Sequence, residues 1–156
     1  MNTERNTHSK LIGYLLWIVG FTGAHRFYFG KQITGTIWFF TLGLLGIGWL
    51  IDFFLIPSMD RQADSKYVPG PRDHSLAWLL LVFLGWFGIH RLYLNKWFSG
   101  LAIMIMAALA AVLFPVFFFF IPVIALFWLV DLWTLNGQVS EFNRRHQPAA
   151  IIAQTA

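Results

Sequence analysis

The chain has 156 residues, of which 58% are hydrophobic and 12% charged, with a formal net charge of +4 and no cysteine. So little polar surface cannot cover a soluble domain of this size, and the lack of cysteine excludes disulfides, thiolate metal sites and cysteine nucleophiles. A small positive balance without a lysine- or arginine-rich tract argues against nucleic acid and for a membrane protein oriented against anionic lipid.

Residues 1–10 read as a polar, mobile N-terminal tail. The apolar stretch from Leu11 has no Ala-x-Ala-like cleavage site after it, so it is expected to be an uncleaved membrane segment, capped by Thr7 or Ser9. At Gly20 and Gly23 the helix should give way to a turn, Gly23-Ala-His25-Arg26-Phe-Tyr28-Phe-Gly30-Lys31. Apolar helix resumes at Gln32, passes Gly35 and reaches a lone acid in Trp49-Leu-Ile-Asp52. This first unit covers 11–56. Residues 57–75 hold three prolines and mixed charges and read as an aqueous linker. A second unit covers 76–135, with Asp73 or Ser75 as the cap of its first helix. It repeats the turn as Gly85-Trp-Phe-Gly88-Ile-His90-Arg91-Leu-Tyr93-Leu-Asn95-Lys96, followed by Gly100 and by Trp128-Leu-Val-Asp131. Residues 136–156 read as a polar C-terminal tail.

The repeat is quantitative up to a point. His25 and His90 are 65 positions apart, as are Gly35 and Gly100, but Asp52 and Asp131 are 79 apart. Unit two therefore carries 14 more residues between its second glycine and its acid. In unit one, Gln32 to Asp52 as one straight helix would span roughly 30 Å, enough to cross a bilayer and separate Asp52 from Arg26. In unit two the same straight path would be roughly 50 Å, so it must break, and Pro115 and Pro122 are available, with Phe114-Pro115 the natural turn. The primary reading is a simple hairpin in unit one. Its rival is a there-and-back path in both units, turning within Thr41-Leu-Gly43-Leu-Leu-Gly46-Ile-Gly48 in unit one, which would bring each acid back to its arginine.

Charges recurring inside apolar sequence point to a required arrangement. His25-Arg26 and His90-Arg91 either bind lipid phosphate through the guanidinium fork or form structural turns in which arginine snorkels and Tyr28 and Tyr93 anchor the membrane surface. Gly23, Gly30 and Gly88 should shape those turns. Asp52 and Asp131 either pair with Arg26 and Arg91 or carry protons or cations. Phe117–Phe120 reads as lipid-facing bulk. The serines lack a nucleophile motif, the histidines lack zinc spacing and no phosphate-binding glycine loop is present, so neither an enzyme nor a cofactor or metal is expected.

The pattern Gly-x-x-Gly-x-His-Arg-Phe-Tyr-x-Gly-Lys with a later Gly and Trp-x-x-Asp resembles the TM-two (two-transmembrane) domain family, here as two domains in tandem. The resemblance covers most of 11–135. Unit two departs from it, with Leu92 for the motif phenylalanine and Asn95 for the glycine. The resemblance implies two membrane helices joined by a short polar linker and no defined activity. Animal relatives carry Asp-Arg-Phe in the loop and are linked to amyloid-peptide binding and Notch signalling; His25 and His90 stand at the matching position, so that coupling does not transfer.

The resulting expectation is an all-α integral membrane protein of two tandem helical-hairpin units, multi-pass, in a bacterial cytoplasmic membrane. Its function is expected to be a non-enzymatic scaffold or interaction module contacting lipid headgroups, a partner membrane protein or a second copy, without nucleic acid. The alternative is a proton- or ion-linked transporter component using Asp52 and Asp131. Seven lysines and arginines in the termini and linker against four in the motif turns place termini and linker in the cytoplasm, with the turns on the opposite face.

Overall fold

The computed structural model describes residues 6–19, 23–112 and 117–146, and all regular structure among them is helical. Unit one contains α1 (Lys10–Val19), α2 (Ala24–Tyr28), α3 (Gln32–Leu45) and α4 (Ile47–Lys66). Unit two contains α5 (His74–Leu84), a 3-10 turn (Gly85–Phe87), α6 (Ile89–Tyr93), α7 (Trp97–Val112) and α8 (Phe117–Arg145). Gly20 and the expected break at Phe114-Pro115 lie outside the described residues, as do the side chains of Phe117–Phe120.

Both units follow the same path. An apolar helix leaves the polar end of the molecule, a five-residue motif helix returns toward it, and two longer legs run out and back. The simple hairpin expected for unit one is therefore replaced by the there-and-back path. The reversal falls at residues 42–46, where Leu42, Gly43, Leu44, Leu45 and Gly46 all have φ between 50° and 85°. Left-handed leucine costs about 1–2 kcal/mol per residue. Local hydrogen bonds hold the turn: Leu44 N–H donates to Thr41 Oγ1 at 3.1 Å and Gly46 N–H to the Leu42 carbonyl at 3.2 Å.

Pro57 does not open a linker, because α4 runs through it to Lys66. A mid-helix proline leaves the carbonyl four residues earlier without its N–H donor. Here the Tyr14 hydroxyl points at that Phe53 carbonyl, 3.4 Å away. The non-helical connection is confined to about Tyr67–Asp73, and Asp73 caps α5 by accepting from Leu76 N–H at 2.9 Å. The C-terminal boundary also moves. α8 continues without interruption to Arg145, and Leu135, Asn136, Val139, Ser140 and Asn143 are buried on one face of it. At the N-terminus, Thr7 and His8 are buried rather than mobile: both backbone N–H groups and the Thr7 hydroxyl donate to Asp64 at 2.8–3.0 Å.

The last carbonyls of a helix lack intrahelical donors. At the apolar end, Trp49 and Trp128 supply donors to the last turns of α1 and α5, at the Trp17 and Leu81 carbonyls. Trp17 and Trp49 stack at 4.3 Å and each indole donates to the other's carbonyl, at 2.7 and 2.9 Å. In unit two, Trp128 donates to the Leu81 carbonyl at 3.1 Å. Only one described helical stretch, Ile121–Arg145, is long and apolar enough to cross a membrane by itself.

Candidate functional site: a buried histidine–arginine–aspartate cluster in each unit

Each motif helix begins on a left-handed glycine, Gly23 (φ 92°) or Gly88 (φ 68°). A Cβ at Gly23 would lie 2.7 Å from Trp38 Cβ, and one at Gly88 2.8 Å from the Gly100 carbonyl oxygen. The missing side chains let α2 lie against α3 and α6 against α7. Each helix ends at a second left-handed residue, Gly30 (φ 73°) or Asn95 (φ 58°). Asparagine tolerates this region better than most side chains, so the replacement in unit two keeps the turn geometry.

This packing aims histidine and arginine inward at the acid on the returning leg. Asp52 accepts from His25 Nε2 at 2.7 Å and from Arg26 Nε at 2.7 Å, and the second guanidinium nitrogen reaches its other oxygen. Asp131 accepts from His90 Nε2 at 2.6 Å, Arg91 Nε at 2.7 Å and the second Arg91 nitrogen at 2.8 Å. Both carboxylates are 0% exposed. The side-on, two-point arginine contact is the strong form of this pair. Each guanidinium also covers an aromatic face, Trp38 at 3.6 Å for Arg26 and Phe127 at 5.1 Å for Arg91. Nδ1 of both histidines is buried and has no partner.

Arg26 and Arg91 are therefore buried rather than snorkelling, with Nε and one terminal nitrogen of each committed to the acid. Tyr28 is fully buried instead of anchoring the surface. Its hydroxyl accepts from Ser9 N–H at 2.7 Å and pairs with Ser75 Oγ at 2.7 Å, joining the N-terminal segment to unit two. Tyr93 accepts from Asp73 N–H at 2.8 Å. The motif cations left at the surface are Lys31 and Lys96, each donating to a neutral amide, Gln62 or Gln138, at 2.8 Å.

Sequence reasoning missed the polar layer between the units. Asn136 donates to the Tyr28 carbonyl at 2.7 Å and the Phe27 carbonyl at 3.2 Å and accepts from Trp78 Nε1 at 2.6 Å. Asn143 clamps the connection, accepting from Arg72 N–H at 2.8 Å and donating to the Arg72 and Val68 carbonyls at 2.9 and 3.0 Å. Ser140 accepts from Val68 N–H at 3.2 Å and lies 3.1 Å from His74 Nε2. The i, i+4, i+7 spacing of Asn136, Ser140 and Asn143 was the available signal for one helix face. Burial lowers His8 to about 4, partly offset by Asn136 and Asp64. Burial and the Asp64 charge push Asp60 up to about 6, against Lys10 and Arg61. A cleft of about 830 Å³ opens between the units here, lined by Lys66, Lys96 and Arg145 together with Leu94 and Trp133. Among the described residues no group of three histidine, aspartate or glutamate side chains is arranged to hold a metal ion.

Residues 6–54 match the model of the TM2 domain. A TM2 domain-containing protein of Dictyostelium discoideum is 45% identical over 63 residues, covering 40% of this chain and 43% of that protein. A second from the same organism is 43% identical over 60 residues, covering 38% of this chain and 39% of its own length. Human TM2 domain-containing protein 1 is 44% identical over 66 residues, covering 42% of this chain and 28% of its own. The match thus spans less than half the length of these curated relatives. All three are eukaryotic, which gives the expected bacterial membrane no support. No solved structure matches the chain. The cluster that unit one builds around Asp52 lies within the stretch, residues 6–54, that matches the TM2 domain.

Proposed function

We propose that the chain is a non-enzymatic integral membrane module made of two TM2-type units in tandem, and that it works as a small scaffold contacting lipid headgroups or a partner membrane protein. The observation carrying this reading is that Asp131 is held by His90 and Arg91 just as Asp52 is held by His25 and Arg26, although the two acids sit on legs of different length. A buried acid that accepts from three nitrogens is an element of architecture: removing its partner leaves an uncompensated charge. The contact surface is then the charged end of the molecule carrying Lys31, Lys66 and Lys96, with the motif arginines held mainly by the acids.

The test is reconstitution of the purified chain in liposomes, with proton and cation flux measured for the native protein and for Asp52→Asn and Asp131→Asn. The scaffold reading expects no flux from any of them and reduced thermal stability of both variants. Flux in the native protein that disappears with Asp52→Asn, while the variant stays folded, would establish the transporter reading instead.

A further inference from the structure

The two ends of the molecule differ completely in charge. Lys10 is 4.0 Å from Asp60, Lys31 contacts Gln62, Lys66 donates to the Gly30 carbonyl at 3.2 Å, and Lys96 contacts Gln138. The Arg72 guanidinium lies over Tyr93 at 4.7 Å and over Phe142 at 5.0 Å. These contacts put the N-terminal segment, both motif turns, the 67–73 connection and the end of α8 in one layer. The stretches that run out from this layer, 33–51, 76–89, 97–112 and 117–130, contain no charged residue.

The reversal at 42–46 belongs to that uncharged end. Leu42 is 52% exposed, Leu45 88% and Ile47 68%. The Thr41 hydroxyl, the one polar side chain beside the turn, is spent on the Ile37 carbonyl and Leu44 N–H. Bare leucines around a turn in which the Leu44 and Gly46 amides bond internally suit hydrocarbon, where backbone groups find no water, and are out of place in a solvent loop. The right-handed part of α3 from Gln32 to Thr41 is about 14 Å long, half of the ~30 Å hydrocarbon thickness.

We infer that unit one is a re-entrant wedge: it enters the bilayer from one face, turns near the midplane among the acyl chains and returns to that face. Residues 6–10, both motif turns, the 67–73 connection and the end of α8 then share one side of the membrane. Its partner is the acyl-chain region of a single leaflet. This replaces the opposite-face orientation expected from charge counting, because the turns and the linker carry their cations in the same layer. Unit two enters from the same face and goes deeper, α7 being about 24 Å long. The inference rests on the membrane reading above.

The chain has no native cysteine, so single cysteines report directly. Ser65→Cys and Lys96→Cys would be treated with a membrane-impermeant maleimide from each face of sealed vesicles, and Leu45→Cys likewise. The expected result is labelling of Ser65→Cys and Lys96→Cys from the same face only, with loss of labelling at Leu45→Cys from both faces and its recovery in detergent. A bimane fluorophore at position 45 should be quenched by lipids brominated near the chain terminus. Labelling of Leu45→Cys in intact vesicles, opposite-face labelling of Ser65→Cys and Lys96→Cys, or absence of quenching would each overturn the wedge. Protection of Leu45→Cys that persists in detergent would mean a second copy covers the tip and would overturn it too. Alkaline carbonate extraction separates the two failures: release into the supernatant removes the membrane reading itself, whereas retention with Leu45→Cys labelled removes only the wedge.

Discussion

Unit one and unit two reach the same cluster by legs of different length. In unit one the outgoing leg is α3, closed by a left-handed turn at 42–46; in unit two α7 and α8 are longer, and the insertion falls between Gly100 and Asp131. Seven residues per leg is close to two helical turns, so each leg lengthens with its buried face nearly unchanged. Unit two's carboxylate also has a further donor, Gln138 Nε2 at 3.3 Å, and its arginine is less tightly covered, by Phe127 at 5.1 Å against Trp38 at 3.6 Å. Leg length and aromatic cover vary between the copies, while the histidine, arginine and aspartate contacts do not.

The largest effect should come from breaking the better-sealed copy. Arg26→Ala is expected to destabilise by about 3–5 kcal/mol, because it leaves Asp52 buried without its cation. Arg91→Ala should cost about 1 kcal/mol less, since Gln138 still serves Asp131. Chemical denaturation in mixed micelles would rank them; equal losses would mean that Gln138 and the aromatic cover do not matter. Next, Asn136→Leu should cost about 2–3 kcal/mol by stranding Trp78 Nε1 and the Tyr28 carbonyl. It should loosen the contact between units while sparing both clusters, visible as faster amide exchange at 67–78 with little change at 24–28. Exchanging the turn-ending residues sharpens the comparison further. Asn95→Gly should shift stability by less than about 0.5 kcal/mol, whereas Gly30→Asn should lose about 1–3 kcal/mol, because its Cβ would run into the Tyr67 ring.

The smallest effect depends on pH. Asp60 is raised to about 6 in the fold from an ordinary 3.8, so the folded state holds its proton more tightly between those values and loses that advantage as pH rises through 6. Asp60→Asn should therefore stabilise by about 1 kcal/mol at pH 7.5 and leave the melting temperature unchanged near pH 3.5. His8 acts in the opposite sense. Its value falls to about 4 from 6.5, so its contribution is complete above pH 6.5 and declines as pH drops toward 4. Burial also lowers His74, to about 3, which adds to the His8 slope. Asp60 opposes both histidines, so thermal melts of the native protein should show a net loss toward acid, and Asp60→Asn should make that loss steeper.

Much of the site was legible in the sequence. A charged quartet repeated at constant offset inside apolar sequence named His25, Arg26, His90 and Arg91, and the lone acids named their partners. The difference in spacing to Asp52 and Asp131 also pointed to the there-and-back path. A straight α3 satisfies bilayer-spanning length but would separate Asp52 from Arg26, and the buried pair decides the path. The polar layer was hidden for another reason. Asn136, Ser140 and Asn143 sit in a hydrophilic stretch, and composition alone reads such a stretch as a tail. Only their helical spacing shows that they share a face turned toward protein. Pro57 likewise suggested a boundary because the sequence does not reveal that Tyr14 will face the carbonyl it frees.

The central claim is that each unit folds back so that its acid meets its motif turn. Cysteines in place of Lys31 and Gln62, whose native side chains meet at 2.8 Å, test it most directly. A short bifunctional maleimide should join Lys31→Cys to Gln62→Cys within one chain in native membranes, giving a compact band on denaturing gels. If α3 and α4 formed one straight crossing, these positions would lie roughly 45 Å apart and no intramolecular product would form, which would contradict the account.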